Sequence, residues 1–231
     1  MMRRRVPELA EPDVRCTHEA DGSFEVTCAQ ALLPFDRSVG AWVARWADRR
    51  PQQVAFAERS GAGWRTITWR ALLQQTRSVA QALLHRELSI ERPIAILSGN
   101  GIEHAVLSLA AALVGIPVVP VSAAYSLLSR DHTQLREVIA LTTPGLVFCA
   151  QGAPFEAALQ ALQLTADVEI VVGDSREEAR PKTPWTELIR TAATEAVDIA
   201  ATQVGPESIA KIMMTSGSTG APKGVLTSHG M

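Results

Sequence analysis

Residues 214–225 read MTSGSTGAPKGV, and they set Gly217, Gly220 and Gly224, the hydroxyls of Thr215, Ser216, Ser218 and Thr219, and the ammonium of Lys223 behind an apolar run. Glycine admits backbone conformations that let successive N–H groups converge on an anion, the concave nest that holds phosphate oxygens. Four hydroxyls add further donors, and Lys223 adds a full positive charge. A triphosphate is the ligand that such a donor set serves.

Two other readings of the segment fit less well. A P-loop places Gly directly before its Lys and Ser or Thr directly after it, and it opens a helix. Here Pro222 precedes Lys223, Gly224 follows it, and KGVLTS reads as extended chain. A flexible Gly/Ser linker would not carry a Pro-Lys-Gly turn between two apolar strands. Elsewhere, His18, His85, His104 and His132 lack ligand spacing and read as solvated or locally bonded. His229, close behind the loop in sequence, stands as a candidate active-site neighbour. Cys16, Cys28 and Cys149 have no paired metal spacing and read as reduced thiols, so no metal site is expected. The arginines at positions 3–5 read as a solvated terminus.

The elements that must position the loop follow from periodicity. Residues 1–33 form an amino-terminal extension with little pattern beyond a short hairpin about Asp21 and Gly22. From Ser38 a helix carries Val39, Trp42, Val43 and Trp46 on one face, both tryptophans reading as core, and stops at Pro51. VAFAERS and WRTITW alternate about Gly61 and Gly63 as a β-hairpin, and a long amphipathic helix runs from about Trp69 to Arg86. Apolar strands are expected at 93–97, 117–121, in GLVFCA, in VEIVVG and at 209–214, with helices to about Val114, over PFEAALQAL and from Trp185 to about Thr194. The segment 174–184 reads as a polar loop. Continuous apolar strands alternating with helices define an α/β fold with a parallel or mixed sheet covered on both faces.

Residues 105–129 carry no charge and are long enough to span a bilayer. Gly115, Pro117 and Pro120 interrupt them, which fits a helix followed by a buried strand instead. With 47% hydrophobic and 20% charged residues in 231, the chain can bury a sizeable core, and its net charge of −2 offers no field for nucleic acid. The start MMRRRVPELAEPDV places Pro7, Glu8, Glu11, Pro12 and Asp13 where a signal peptide would be apolar, so no export signal and a cytoplasmic location are expected.

The stretch Thr215 to Val225 resembles the phosphate-binding signature of the adenylate-forming superfamily, which contains acyl-CoA synthetases, aryl-CoA ligases, luciferases and peptide-synthetase adenylation domains. WRTITW before the long helix, the run RPIAILSGNGIEHAVLSLAAALVGIPVVPVSAAYSLLSRDH and, more loosely, FDRSVGAWVARWADRRP are similar to feruloyl-CoA synthetases, over roughly residues 30–231. The resemblance implies the amino-terminal part of the large domain, with 34–231 a partial AMP-binding domain that ends just after the phosphate loop. It implies that a carboxylic acid attacks Mg-ATP to give an acyl-adenylate and pyrophosphate, and that the thiol of CoA then displaces AMP. ATP, Mg²⁺ and CoA are the implied cofactors, and a hydroxycinnamate such as ferulate the implied acid. Thr215, Ser216, Gly217, Ser218, Thr219, Gly220 and Lys223 would hold the β and γ phosphates. The adenine and ribose motifs, the metal-binding glutamate and the carboxy-terminal domain with the adenylation lysine are expected beyond Met231, so this stretch is expected to be inactive alone. A nucleotide-binding remnant or interaction module, a fatty-acyl-CoA ligase and another adenylation-domain member remain alternatives.

Overall fold

The computed structural model describes residues 11, 13–31, 33–173, 181–216 and 222–231. The chain divides into two compact units after Phe35.

The first unit is a hairpin of β1 (Val14–His18) and β2 (Phe24–Cys28), antiparallel from Val14↔Cys28 to His18↔Phe24. The carboxylate of Asp21 accepts from the Ser23 N–H at 2.9 Å and from its hydroxyl at 2.6 Å. Gly22 supplies the positive φ of 85° that the turn requires. The turn at Asp21 and Gly22 read from the sequence is therefore present.

The second unit opens with α1 (Val39–Arg49), the hairpin of β3 (Val54–Ser60) and β4 (Gly63–Thr68), and α2 (Trp69–Leu84). Two polar side chains start the helices: Ser38 accepts from the Ala41 N–H and Thr68 from the Ala71 N–H. Then come β5 (Ile94–Ile96), α3 (Ile102–Leu113), β6 (Val118–Pro120), α4 (Ala123–Leu127), α5 (Thr133–Thr142), β7 (Leu146–Cys149), α6 (Gly152–Ala161) and β8 (Glu169–Val172). The chain finishes with β9 (Thr183–Pro184), α7 (Trp185–Arg190), α8 (Glu195–Gln203), β10 (Ile209–Ser216) and β11 (Pro222–Ser228). One mixed sheet has the order β11-β10-β6-β5-β7-β8-β9, parallel throughout except for the antiparallel pair β10–β11.

Strand side chains alternate between two cores, as the period of two demands. Ile94, Ile96, Val118, Leu146, Phe148 and Val171 face a cluster built from α1, α2, α3, α7 and α8. Ala95, Val119, Val147, Ile170, Val172 and Ile212 face a second cluster that includes Leu135 and Val138 of α5 and Phe155 and Ala158 of α6. Because both faces are covered, the strands read as unbroken apolar runs.

Several elements differ from the sequence reading. Trp42 is 37% exposed and rests edge-on against Trp69 at 5.2 Å, and the residues that α1 buries are Gly40, Val43 and Ala47. A Cβ on Gly40 would come within 2.5 Å of Leu113 Cδ1, so the small face of α1, not its tryptophans, makes the close approach. The helix expected to reach Thr194 ends at Arg190, and Thr194 instead starts α8 by accepting from the Ala196 N–H. Neither α4 nor α5 was anticipated, since α5 buries only Leu135, Val138 and Thr142. In the expected polar loop, Thr183–Pro184 pair with β8 as a short edge strand, while 174–180 lie outside the described residues. Among the described residues no helix is long and apolar enough to cross a membrane; in 105–129, α3 gives way at Gly115, φ 74°, to β6.

Candidate functional site

The loop read as a phosphate cradle sits between two strands that the structure pairs directly. Thr215 and Ser216 end β10, Pro222 and Lys223 begin β11, and the register sets Thr215 opposite Lys223 and Ser216 opposite Pro222. Gly217, Ser218, Thr219 and Gly220 lie outside the described residues. The Thr215 hydroxyl donates to the Lys223 carbonyl at a long 3.4 Å. Directly opposed residues of an antiparallel pair share a face, so the side chains of Thr215 and Lys223 leave the same face of the hairpin, and both residues are exposed.

Alternation fixes which face that is. Ile212 is buried and Met214 packs against the α5–α6 core, so Met213 and Thr215 point the other way, and Met213 is 42% exposed. Gly224 lies opposite Met214, where a Cβ would meet Ile212 Cγ2 at 3.1 Å. Because β10 runs parallel to β6, residues 217–221 follow the carboxyl end of a parallel strand, the edge where open α/β sheets bind ligands.

The strand order also defines a switch point that the sequence could not reveal. The chain moves from β5 to β6 on one side and then crosses to β7 on the other, so a crevice opens beyond the carboxyl ends of β5 and β7. Ser98 there accepts from the Ala150 N–H at 3.1 Å. Beside it a cavity of about 310 Å³ is lined by Phe56, Glu58, Asn100, Ile102 and His104. The amino terminus of α3 would favour an anion, but Glu58 already fills that role by accepting from the Ile102 N–H at 2.7 Å. Arg65 holds the arrangement, donating to Glu58 at 2.7 Å and to Glu103 at 2.6 Å. Burial works to raise the Glu103 carboxyl, but the bonds from Arg65 hold it below its ordinary value. A protein carboxylate therefore satisfies this helix end.

His229 lies at the other end of β11 from Lys223, six strand positions or about 20 Å away. Its Nδ1 accepts from the Val39 N–H at 3.2 Å, at the first turn of α1, and its Nε2 is buried with no hydrogen-bond partner among the described residues. Burial lowers its pKa. The structure thus joins His229 to α1, at the end of β11 away from Lys223. Among the described residues no three His, Cys, Asp or Glu side chains group to hold a metal ion.

The fold is that of the amino-terminal domain of adenylate-forming enzymes. It aligns with a benzoate CoA ligase from Burkholderia xenovorans at a TM-score of 0.64 and 21% identity, over 84% of this chain and 35% of that one. It aligns equally, at 0.64 and 22%, with a fatty acyl CoA synthetase from Mycobacterium tuberculosis, over 83% of this chain and 34% of that one. The chain belongs to the AMP-binding enzyme family, whose profile matches residues 43–231. Curated relatives include tyrocidine synthase 2 of Brevibacillus parabrevis, 26% identical over 96% of this chain and 5% of its own length. A carboxylic acid reductase of Mycobacterium marinum is 23% identical over 97% of this chain and 22% of its own length. The chain therefore spans only a small part of the curated relatives that it matches.

Proposed function

We propose that this chain is part of an ATP-dependent acid ligase that works through an acyl-adenylate. Residues 34–231 form a partial AMP-binding domain, and Thr215, Ser216, Gly217, Ser218, Thr219, Gly220 and Lys223 cradle the β and γ phosphates. The observation that carries this reading is the registered pair Thr215 and Lys223, which sets a hydroxyl residue and a cationic one on one exposed strand face, flanking the glycine-rich segment 217–220 in sequence. That donor set suits polyphosphate oxygens, and family membership supplies the reaction class.

In the reaction, a carboxylate oxygen bonds to the α-phosphorus as the bond from that phosphorus to the β-bridging oxygen breaks, and pyrophosphate leaves. Lys223 and the loop donors balance the charge that gathers on the leaving group, a stabilisation laid down before the reaction begins. Mg²⁺ would arrive on the phosphates and offset their charge, keeping most of its water ligands. The thiol of CoA then displaces AMP from the acyl carbon. The acid that we favour is a hydroxycinnamate such as ferulate, on the sequence similarity around LSGNGIEH and SAAYSLLSRDH. The match to tyrocidine synthase 2 favours a second reading, an adenylation domain of the peptide-synthetase kind.

The test uses a protein that carries this chain together with the adenylation lysine. In Lys223→Ala, ATP–pyrophosphate exchange should fall about 10- to 100-fold, as loss of one charge-assisted bond worth roughly 1.5–3 kcal/mol implies. Transfer from a preformed acyl-adenylate to CoA should change little, because pyrophosphate has already left. Exchange at the wild-type rate would remove the loop from the phosphate site. Greater turnover with palmitate than with ferulate would remove the hydroxycinnamate assignment alone.

A further inference from the structure

The hairpin of β1 and β2 has two unlike faces. Directly opposed residues share a face and successive residues alternate. The register therefore sets Val14, Cys16 and His18 with Cys28, Val26 and Phe24 on one face, and Arg15, Thr17, Glu25 and Thr27 on the other. The first face is the apolar one, yet Val14, Phe24 and Val26 are 62%, 65% and 55% exposed. A two-stranded hairpin alone in water is marginally stable at best, so this face calls for a cover.

At its centre stand two metal-ligating side chains. Cys16 Sγ lies 3.8 Å from His18 Nε2, and both residues are exposed. Zinc binds a thiolate sulfur at about 2.3 Å and an imidazole nitrogen at about 2.0–2.1 Å, so at the tetrahedral angle one ion holds the two atoms about 3.6 Å apart. The pair is thus spaced to chelate one ion with almost no movement. Phe24, directly opposite His18, sets its ring centroid 6.2 Å from the imidazole. Cys28 stands opposite Val14, at the end of the hairpin away from His18, and no third ligand joins the pair among the described residues.

One hairpin therefore supplies half a site. A structural zinc is almost always four-coordinate and tetrahedral, and a two-fold axis through the ion brings the same two ligands from a second copy. Two thiolates cancel the charge of a divalent ion, so the resulting centre is neutral and suits an apolar surround. The same rotation lays the two apolar faces together, covers Val14, Phe24 and Val26, and leaves Arg15 and Glu25 in water. A half-site of two ligands leaves no metal spacing in the sequence of one chain. The AMP-binding profile begins at residue 43, so the hairpin lies outside the family match.

We propose that residues 14–28 pair with the same residues of a second copy of this chain around one Zn²⁺, held by Cys16 and His18 of both copies. Each Cys16 thiol gives up its proton to solvent as it binds the ion.

Sedimentation velocity tests this on the metal-free 231-residue chain, kept reduced with a phosphine so that no disulfide forms. The chain should be a monomer, Zn²⁺ should convert it to a dimer with one ion per two chains, and EDTA should reverse the change. Co²⁺ in place of zinc should give the visible absorption of a tetrahedral thiolate site. Cys16→Ser and His18→Ala should each weaken metal-dependent dimerisation by about 100-fold or more, since loss of a mere partner to a ligand already costs about 10–100-fold. Val26→Lys, which keeps all four ligands but puts an unpaired charge on the covered face, should weaken it at least ~10-fold. Cys28→Ser should change nothing. A dimer without metal, a monomer at saturating Zn²⁺ or one ion per chain would each overturn the proposal. So would a dimer that persists in Cys16→Ser or His18→Ala, one indifferent to Val26→Lys, or one lost in Cys28→Ser.

Discussion

At the scale of single residues, distance along the chain misleads where the backbone is extended. His229 follows Lys223 by six positions, which in a helix would be under two turns but in a strand is its whole length. The chemistry proposed for the loop rests on residue types within one short segment, which the sequence alone displays. The role of His229 was not legible there, because its partner, the Val39 N–H, lies at the far end of the sequence. Accepting that bond requires Nδ1 unprotonated, and a charged imidazole there would lose the bond and face the positive end of the α1 dipole. Burial lowers its folded pKa below the ordinary 6.5, so the unfolded chain takes up the proton first. The contribution of His229 is therefore complete above about pH 6.5 and is lost as pH falls from there through the folded pKa. Urea unfolding at pH 7.5 and 5.5 should show this loss, and His229→Asn, which keeps an acceptor but cannot titrate, should reduce it. An unchanged pH dependence in the variant would show that other groups cause it.

At the scale of elements, the strands and long helices were legible because each carries its own period, whereas the ends depended on partners remote in sequence. α3 shows this. Its N-cap is Gly101, which offers no side chain, and nothing near it in sequence replaces one. The acceptor comes from Glu58 on the β3–β4 hairpin, and Arg65 ties that hairpin to Glu103. Glu58→Ala should therefore cost about 1–2 kcal/mol by chemical denaturation, the usual worth of a lost cap. Glu58→Gln, whose amide oxygen can still accept, should recover part of it. Equal losses in the two variants would point to the Arg65 ion pair as the dominant contribution. The same logic explains α8: Thr194 starts it while Gln81 of α2 accepts from the Thr194 N–H and hydroxyl, a link that no local pattern announces.

At the scale of the whole molecule, class was legible and order was not. Apolar strands alternating with helices imply a covered parallel sheet, but only tertiary pairing decides that β10 lies beside β6 and that β5 is central. Every buried residue of the two core clusters lies at or beyond Val43. Removing residues 1–35 should therefore leave the urea midpoint of the remainder nearly unchanged, and a large drop would show that the first hairpin contributes to stability. The register joins β10 to β6 through a single pair, Lys211↔Val118, while β5 takes three registered pairs with each neighbour. Joining β10 to β6 also closes a long loop of intervening chain, whose entropy must be met before the contact rewards it. The strands that carry Thr215 and Lys223 are therefore expected to open before β5 and β7. Amides of 212–216 and 223–228 should exchange hydrogen faster than those of β5 and β7, so that the part of the molecule assigned to phosphate is also the part a bound nucleotide would most strongly slow.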